Sequence, residues 1–184
     1  MINRMTRAAQ MNIDLYEEVE HDTSLSNEAL QVVIIVSVAE GLGILLSGLM
    51  GGQLVGGVVG GVVAAILGVV RWYLWSYLVL FIGTKLFNGT ADFGEVSRTI
   101  AYAYTPNVVR VLAFVPALGA LLGLVAGIWS LVLGVVAVRQ AMDFDTGKAI
   151  ATVLVSGIIA FFIVMVITGI VMIPLGIAAV VAGQ

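Results

Sequence analysis

The feature that most constrains this chain is a series of long apolar runs, each at least as long as the roughly 20 residues that a helix needs to cross a bilayer. The runs lie at residues 30–50, 55–86, 96–115, 118–139 and 148–173. Because hydrocarbon offers no water to backbone amides, they must form helices or a closed barrel, and barrel strands would alternate apolar with polar residues. No such alternation occurs in the sequence. The runs therefore predict an all-α membrane bundle of about five transmembrane helices.

The composition agrees with a membrane protein and excludes several kinds of active site. Charged residues make up 10% of the chain, against about 25% in soluble domains. The absence of cysteine excludes disulfides, thiolate metal sites and cysteine nucleophiles. The one histidine, His21, lies in an acidic stretch without ligand partners at useful spacing. With a net charge of −3, a nucleic-acid partner is not expected. The sequence also contains no recognisable arrangement of catalytic residues, so no catalytic, cofactor or metal site is expected.

The distribution of lysine and arginine predicts the orientation, because these residues are in excess in cytoplasmic loops. If the N-terminus is cytoplasmic, the loops on its side contain Arg4, Arg7, Lys85, Arg98, Arg139 and Lys148. The loops on the opposite side are GGQ (51–53), VPALG (115–119) and VVAGQ (180–184), and they contain neither residue type. We therefore expect the N-terminus inside and the C-terminus outside.

The chain is expected to divide into two parts. Residues 1–29 would form a cytoplasmic N-terminal segment, in which residues 2–20 place apolar side chains at roughly helical intervals. An interfacial helix and a soluble face for a partner are both compatible with that spacing. Residues 30–184 would form the transmembrane domain. Its run at 55–86 exceeds one span, so it forms either one long tilted helix or a half-helix followed by a span.

Three charged residues lie well inside apolar runs, away from the ends of the runs: Glu40, Arg71 and Arg110. At about 1.5 Å per residue, Glu40 and Arg71 both fall near the membrane midplane, where an isolated charge costs at least about 2.5–3.5 kcal/mol. The sequence therefore predicts that Arg71 bonds to Glu40 across the first hairpin, with Arg110 as a competing partner. Such a cluster serves either as a pin that fixes the register of the helices or as a polar site for a substrate, ion or lipid headgroup. The remaining alternatives are that the charged side chains extend to the membrane surface or contact another subunit.

Small residues recur at intervals of four in the second run, which is typical of closely packed membrane helices. This glycine zipper consists of Gly52, Gly56, Gly60, Ala64 and Gly68, and an adjoining stripe contains Gly57, Gly61 and Ala65. The neighbour is either the first helix or another protomer. Trp72, Trp75 and Tyr77 would suit a membrane interface, yet the topology places Trp72 deep, so either the helix is strongly tilted or these residues line a wetter groove.

The stretch AYAYTPNVVRVLAFVP at 101–116 resembles the third segment of the Yip family, the Ypt/Rab-GTPase-interacting membrane proteins. The family pattern there is Gly-Tyr-Ser-Leu-x-Pro, then a span and a second proline, and Tyr102, Pro106 and Pro116 match it. The following residues, including Trp129, resemble the fourth and fifth segments of prokaryotic members. The resemblance extends over about residues 30–170.

This resemblance implies a five-span Yip-like domain with a cytoplasmic N-terminus. Eukaryotic members associate with small prenylated GTPases and take part in vesicle trafficking and membrane shaping. Their long N-terminal region carries an Asp-Leu-Tyr/Trp-Gly-Pro element, of which DLYEE at 14–18 keeps the first three letters. GTPase binding is therefore not expected, and the short N-terminus resembles prokaryotic members, which implies a multi-pass protein of a prokaryotic plasma membrane.

These observations favour a non-enzymatic integral membrane protein: a scaffold, a membrane organiser or an accessory subunit of a larger complex. Its partners would be lipid, other membrane proteins or a second copy of itself. The alternative is a small transporter or channel that uses Glu40, Arg71 and Arg110. A path open to both faces, or a solvent-filled cavity at that cluster, would favour transport, whereas a filled bundle with an exposed groove would favour partner binding.

Overall fold

The computed structural model describes the backbone of residues 1–182 and the side chains of residues 1–175. The end of the predicted outer segment VVAGQ lies outside the described residues. The helices are α1 (Ile2–Ala9), α2 (Ile13–His21), α3 (Ser26–Met50), α4 (Leu54–Phe87), α5 (Phe93–Ala103), α6 (Leu118–Ala141) and α7 (Thr146–Ala182). A 3₁₀ turn at Thr23–Leu25 precedes α3, and a 3₁₀ segment at Thr105–Phe114 joins α5 to α6.

Within the described residues, four helices are long and apolar enough to cross a membrane. They are Thr23–Met50, Leu54–Phe87, Leu118–Ala141 and Thr146–Leu175. The shortest has 24 residues and is therefore about 36 Å long, more than the roughly 30 Å of a hydrocarbon core. The prediction of an all-α membrane bundle is confirmed.

The third predicted run is not one continuous helix. α5 has 11 residues, and the 3₁₀ segment that follows it has ten. Pro106 lies at the start of this segment; it has no amide hydrogen and disfavours the α conformation at Thr105. α5 and the 3₁₀ segment together have a summed length of about 36 Å, and a fifth crossing by this composite element stays a prediction.

α3 and α4 pack backbone to backbone. A Cβ atom added to Gly61 would lie 2.6 Å from the carbonyl oxygen of Gly41, and one added to Gly57 would lie 2.9 Å from Cα of Gly48. Contacts this close are possible only without side chains, which is how small residues promote association of membrane helices. The sequence left two neighbours open, the first transmembrane helix and another protomer. The structure places the first transmembrane helix, α3, against these glycines.

The glycines that pack differ from the stripe expected from sequence. Gly52 lies in the turn before α4 with φ +70°, and Gly56 is exposed on α4. The buried face of α4 carries Gly57 and Gly61 of the adjoining stripe together with Gly68 of the expected zipper, and Gly60 and Ala64 are half-buried beside them. α4 is one unbroken helix of 34 residues that begins only at Leu54. The packing of α4 against α3 determines which face of α4 is buried. Along most of its length, the packed stripe therefore lies one residue later than the stripe expected from the sequence.

The basic residues that flank the spans gather at one end of the bundle. The Phe87 and Phe144 rings are 6.4 Å apart, and Lys148 Nζ lies 5.8 Å from the centre of the Phe144 ring. Lys85, near the end of α4, and Lys148, near the start of α7, are therefore on the same side. We call this the basic end. The opposite end, with the turns at 51–53 and 115–117, is called the far end.

The N-terminal segment is folded onto the bundle as a hairpin of α1 and α2. Ala8, Leu15, Tyr16 and Val19 are fully buried. Asn12 caps α2 by accepting a hydrogen bond from the Leu15 amide at 2.9 Å. The hairpin packs on α5 and α6, so residues 1–29 are a structural layer of the protein.

Candidate functional site

The structure brings together all three ionisable residues that the sequence places inside apolar runs. Arg71 Nη2, on α4, donates to Glu40 Oε2, on α3, at 2.7 Å. Arg110 Nη1, on the 3₁₀ segment, lies 3.6 Å from Glu40 Oε1. Glu40 thus faces two guanidinium groups, one on each of its carboxylate oxygens. We call these three residues the charge cluster.

Glycines next to Glu40 allow the elements that carry the cluster to approach one another. Gly41 faces the backbone of α4 at Gly61, as described above. Gly43 faces the carbonyl group of Arg110, and a Cβ atom at this position would overlap that group. Both glycines are buried. The spacing of small residues around Glu40 therefore explains how α4 and the 3₁₀ segment reach the same carboxylate.

The charge cluster contains one more cation than anion. The Arg71 and Arg110 side chains are 36% and 35% exposed, while Glu40 is 15% exposed. Both arginine side chains therefore retain accessible surface after pairing. Arg110 is held further by Asn107, whose Oδ1 accepts from its Nε at 3.0 Å, and by the carbonyl of Gly123 at 3.4 Å.

Two cavities meet at Arg110. The large cavity has a volume of about 590 Å³ and is lined by residues of α4, the 3₁₀ segment, α6 and α7, including Arg71, Tyr104, Asn107, Arg110 and Ser130. The small cavity, about 460 Å³, is lined by Glu40 and Ile44 of α3, Arg110, and the first turns of α6. Arg110 lines both, so its side chain lies at the boundary between them.

The packed core closes the large cavity toward the basic end. Trp75 lines the cavity, is 7% exposed, and donates its indole N–H to Ser156 Oγ at 3.0 Å. Beyond it, Val79 and Leu133 are fully buried. Trp72 is also buried and donates to the carbonyl of Ser97 at 3.0 Å. These two tryptophans are core residues rather than an interfacial belt. Trp75 lines the large cavity and Trp72 does not, and a wetter groove at this position stays a prediction.

Two polar residues of the large cavity were missed from the sequence. Asn107 donates from Nδ2 to Ser130 Oγ at 2.7 Å, and both side chains are buried. The sequence feature that could have identified Asn107 is its position in an apolar run three residues before Arg110. Among the residues that the structure describes, no three histidine or carboxylate groups meet as a metal site would require.

The residues of the sequence motif have structural contacts away from the charge cluster. The Tyr102 hydroxyl donates to Glu28 Oε1 at 2.7 Å, which joins α5 to the first turn of α3. Pro106 is the second residue of the 3₁₀ segment, and Pro116 lies two residues after its end. Ala117, the next residue, has φ +61° and turns the chain into α6. The two prolines therefore delimit the element that carries Arg110.

An ion-pair network attaches α1 to α2 and α3. Arg4 Nε donates to Glu18 Oε1 at 2.6 Å, and Arg7 Nη1 donates to Glu18 Oε2 at 2.8 Å. Arg4 Nη1 also contacts Glu28 at 3.2 Å. The hydrogen bond from Arg4, followed by that from Arg7, holds the pKa of the Glu18 carboxyl group below its usual range. The hairpin is thus fastened to the bundle by paired charges as well as by its apolar face.

The family model described as the Yip1 domain matches residues 16–168. The chain belongs to the Yip1 domain family. The resemblance first seen around Tyr102, Pro106 and Pro116 is confirmed, and the matched Yip1 domain begins within α2 and includes the whole charge cluster. Comparisons with curated proteins and with solved structures give no match for this Yip1 domain protein.

Proposed function

We propose that this Yip1 domain protein is a non-catalytic scaffold, membrane organiser or accessory subunit of a larger membrane complex. The observation that carries the proposal is the closure of the large cavity toward the basic end. The buried residues around Trp75, Val79 and Leu133 leave no open path there within the described part of the bundle. A protein that binds partners needs no such path, whereas an open channel does.

The second half of α7 supplies a surface on which partners can bind. From Phe161 to Leu175 none of its residues is buried within the chain, although the first half buries Ala149, Val153 and Ala160. Phe161 and Phe162 are 63% and 57% exposed. Lipid or the helices of another membrane protein would cover this apolar surface. The setting we propose is a prokaryotic plasma membrane, with the basic end on the cytoplasmic side as the positive-inside rule requires.

The test is affinity purification of the tagged full-length protein from its native membrane in mild detergent, with a photoreactive residue at Phe162. The matched control carries it at Tyr77 of α4, which is 55% exposed. We expect one stoichiometric membrane protein, or a second copy of the chain, to be cross-linked from position 162. Recovery of the chain alone, with no protein cross-linked from either position, would contradict the proposal.

A small anion transporter or channel is the second candidate, and the meeting of two cavities at Arg110 favours it. Its test is anion flux in proteoliposomes that contain the full-length protein. The variant Arg110→Gln removes the shared cation, and Arg139→Gln, an exposed arginine outside both cavities, is the control. Flux that is lost in the first variant and kept in the second would replace the scaffold proposal with transport.

A further inference from the structure

We propose that the large cavity binds an acidic membrane lipid, with its anionic headgroup between Arg71 and Arg110 and an acyl chain along α7. This inference concerns a ligand site and does not depend on the proposed scaffold role. It rests on the charge, the hydrogen-bond donors and the wall chemistry of the cavity.

The excess positive charge of the cluster would bind an anion. One carboxylate faces two guanidinium groups, and each arginine keeps about a third of its side-chain surface accessible. An uncompensated cation at membrane depth is costly, and it is usually paired or open to a water-filled cavity. Arg71 and Arg110 both line the large cavity, whereas Glu40 does not line it. The net positive charge is therefore presented on this side.

Some N–H groups of the arginines that line the large cavity have no acceptor within the described part of the protein. A guanidinium group has five N–H donors, and within the described residues Arg71 donates to Glu40 at 2.7 Å and lies beside the Tyr104 hydroxyl group. Tyr104, Asn107 and Ser130 add further polar groups to the same floor. Arginine binds phosphate and carboxylate oxygens through paired N–H groups. An anionic headgroup would satisfy the donors that the Glu40 carboxylate leaves free.

The opposite wall of the cavity is apolar and belongs to α7. Phe161, Val164 and Met165 line it, and Phe161 is 63% exposed. The cavity volume of about 590 Å³ lies in the range of ligand pockets, about 300–1,000 Å³. A polar floor with an apolar wall that faces the membrane suits an amphiphile entering from the side. The packed core toward the basic end would hold the lipid in place rather than let it pass.

The test is native mass spectrometry of the full-length protein titrated with phosphatidylglycerol or with phosphatidylcholine of the same acyl chains. We expect the acidic lipid to bind at least tenfold more tightly, and Arg110→Gln to reduce this preference about tenfold. This variant keeps the bond between Arg71 and Glu40, so it should fold. The control Arg139→Gln removes an exposed arginine at the basic end and should change nothing.

A second variant tests the cavity without changing charge. A Cβ atom at Gly157 would meet no atom within 4 Å, and Gly157 lines the large cavity. Gly157→Leu should therefore occupy the cavity, preserve thermal stability and abolish binding of phosphatidylglycerol. Equal binding of the two lipids, or unchanged binding in both variants, would overturn the proposal. Displacement of the acidic lipid by inorganic phosphate at a similar concentration would also overturn it, because it would identify a site for a free anion.

Discussion

Arg98 Nε donates to the carbonyl oxygen of Val19 at 2.8 Å, which connects α5 to the last turn of α2. Its Nη2 donates to the next carbonyl, that of Glu20, and Arg98 is only 4% exposed. A cation expected at the membrane surface is thus buried between the N-terminal hairpin and the bundle. It satisfies backbone groups at a helix end, where carbonyls lack partners within the helix.

We expect Arg98→Met to detach the hairpin while the transmembrane helices remain folded. Loss of charged hydrogen bonds to buried carbonyls should destabilise the attachment by about 2–3 kcal/mol. Hydrogen exchange of the α2 amides should rise accordingly, while exchange in α3 and α4 changes little. Arg139→Met, at an exposed position, is the control, and equal exchange in the two variants would contradict the assigned role.

Arg71→Glu should severely destabilise the bundle, because it places two carboxylates together and leaves the Glu40 charge facing Arg110 alone. Breaking one side of a fully buried ion pair costs about 3–5 kcal/mol, and because Arg71 is 36% exposed this range is an upper limit here. Adding Glu40→Arg to the same chain should partly restore thermal stability in detergent. If the double variant is no more stable than Arg71→Glu, the pair does not hold α3 to α4.

Gly61→Ala and Gly56→Ala should change stability in opposite directions. At Gly61 the new methyl group meets the backbone of α3, which should cost about 1–3 kcal/mol. At Gly56 the nearest atom is 3.8 Å away, in the Gln53 side chain, so better helix propensity should add up to about 1 kcal/mol. Melting temperatures in detergent provide the comparison, and the same sign for both variants would count against the observed rotation of α4.

The attachment of the hairpin should weaken in acid. The pKa of Glu18 is lowered in the folded protein by Arg4 and Arg7, so this stabilisation is complete above the unfolded pKa, about 4.3. It is lost as the pH falls through the lower folded pKa. Protection of the α1 amides, measured as the intrinsic exchange rate divided by the observed rate at each pH, should therefore fall below about pH 4. In Glu18→Gln this protection should already be reduced at neutral pH and should depend less on acid, and identical pH profiles would argue against the ion pairs.

The features predicted best from the sequence are those that follow from the thickness of the bilayer and from the cost of placing a charge inside it. The apolar runs determine the helical membrane fold because their length matches the bilayer. The pairing of Glu40 with Arg71 was predictable because isolated charges at that depth are expensive. Neither prediction requires knowledge of which helix faces pack against each other.

Features that depend on tertiary contacts were predicted less well. The rotation of α4 is set by close contact with α3, so the sequence spacing alone did not distinguish Gly56 from Gly57. The run at 96–115 was predicted to be one span, whereas the α-helix ends at Ala103 and ten residues continue as a 3₁₀ helix. Arg98 was assigned to the surface because the docking of α2, which buries it, involves residues distant in sequence.

The 3₁₀ segment that carries Arg110 has a mechanical consequence. A 3₁₀ helix rises about 2.0 Å per residue and turns about 120°, against about 1.5 Å and 100° in an α-helix. Rewinding its ten residues as an α-helix would shorten the element by about 5 Å and turn Arg110 by roughly 100° relative to Thr105. The 3₁₀ winding of this segment therefore determines whether the Arg110 guanidinium group lies against Glu40, so it is part of what assembles the charge cluster.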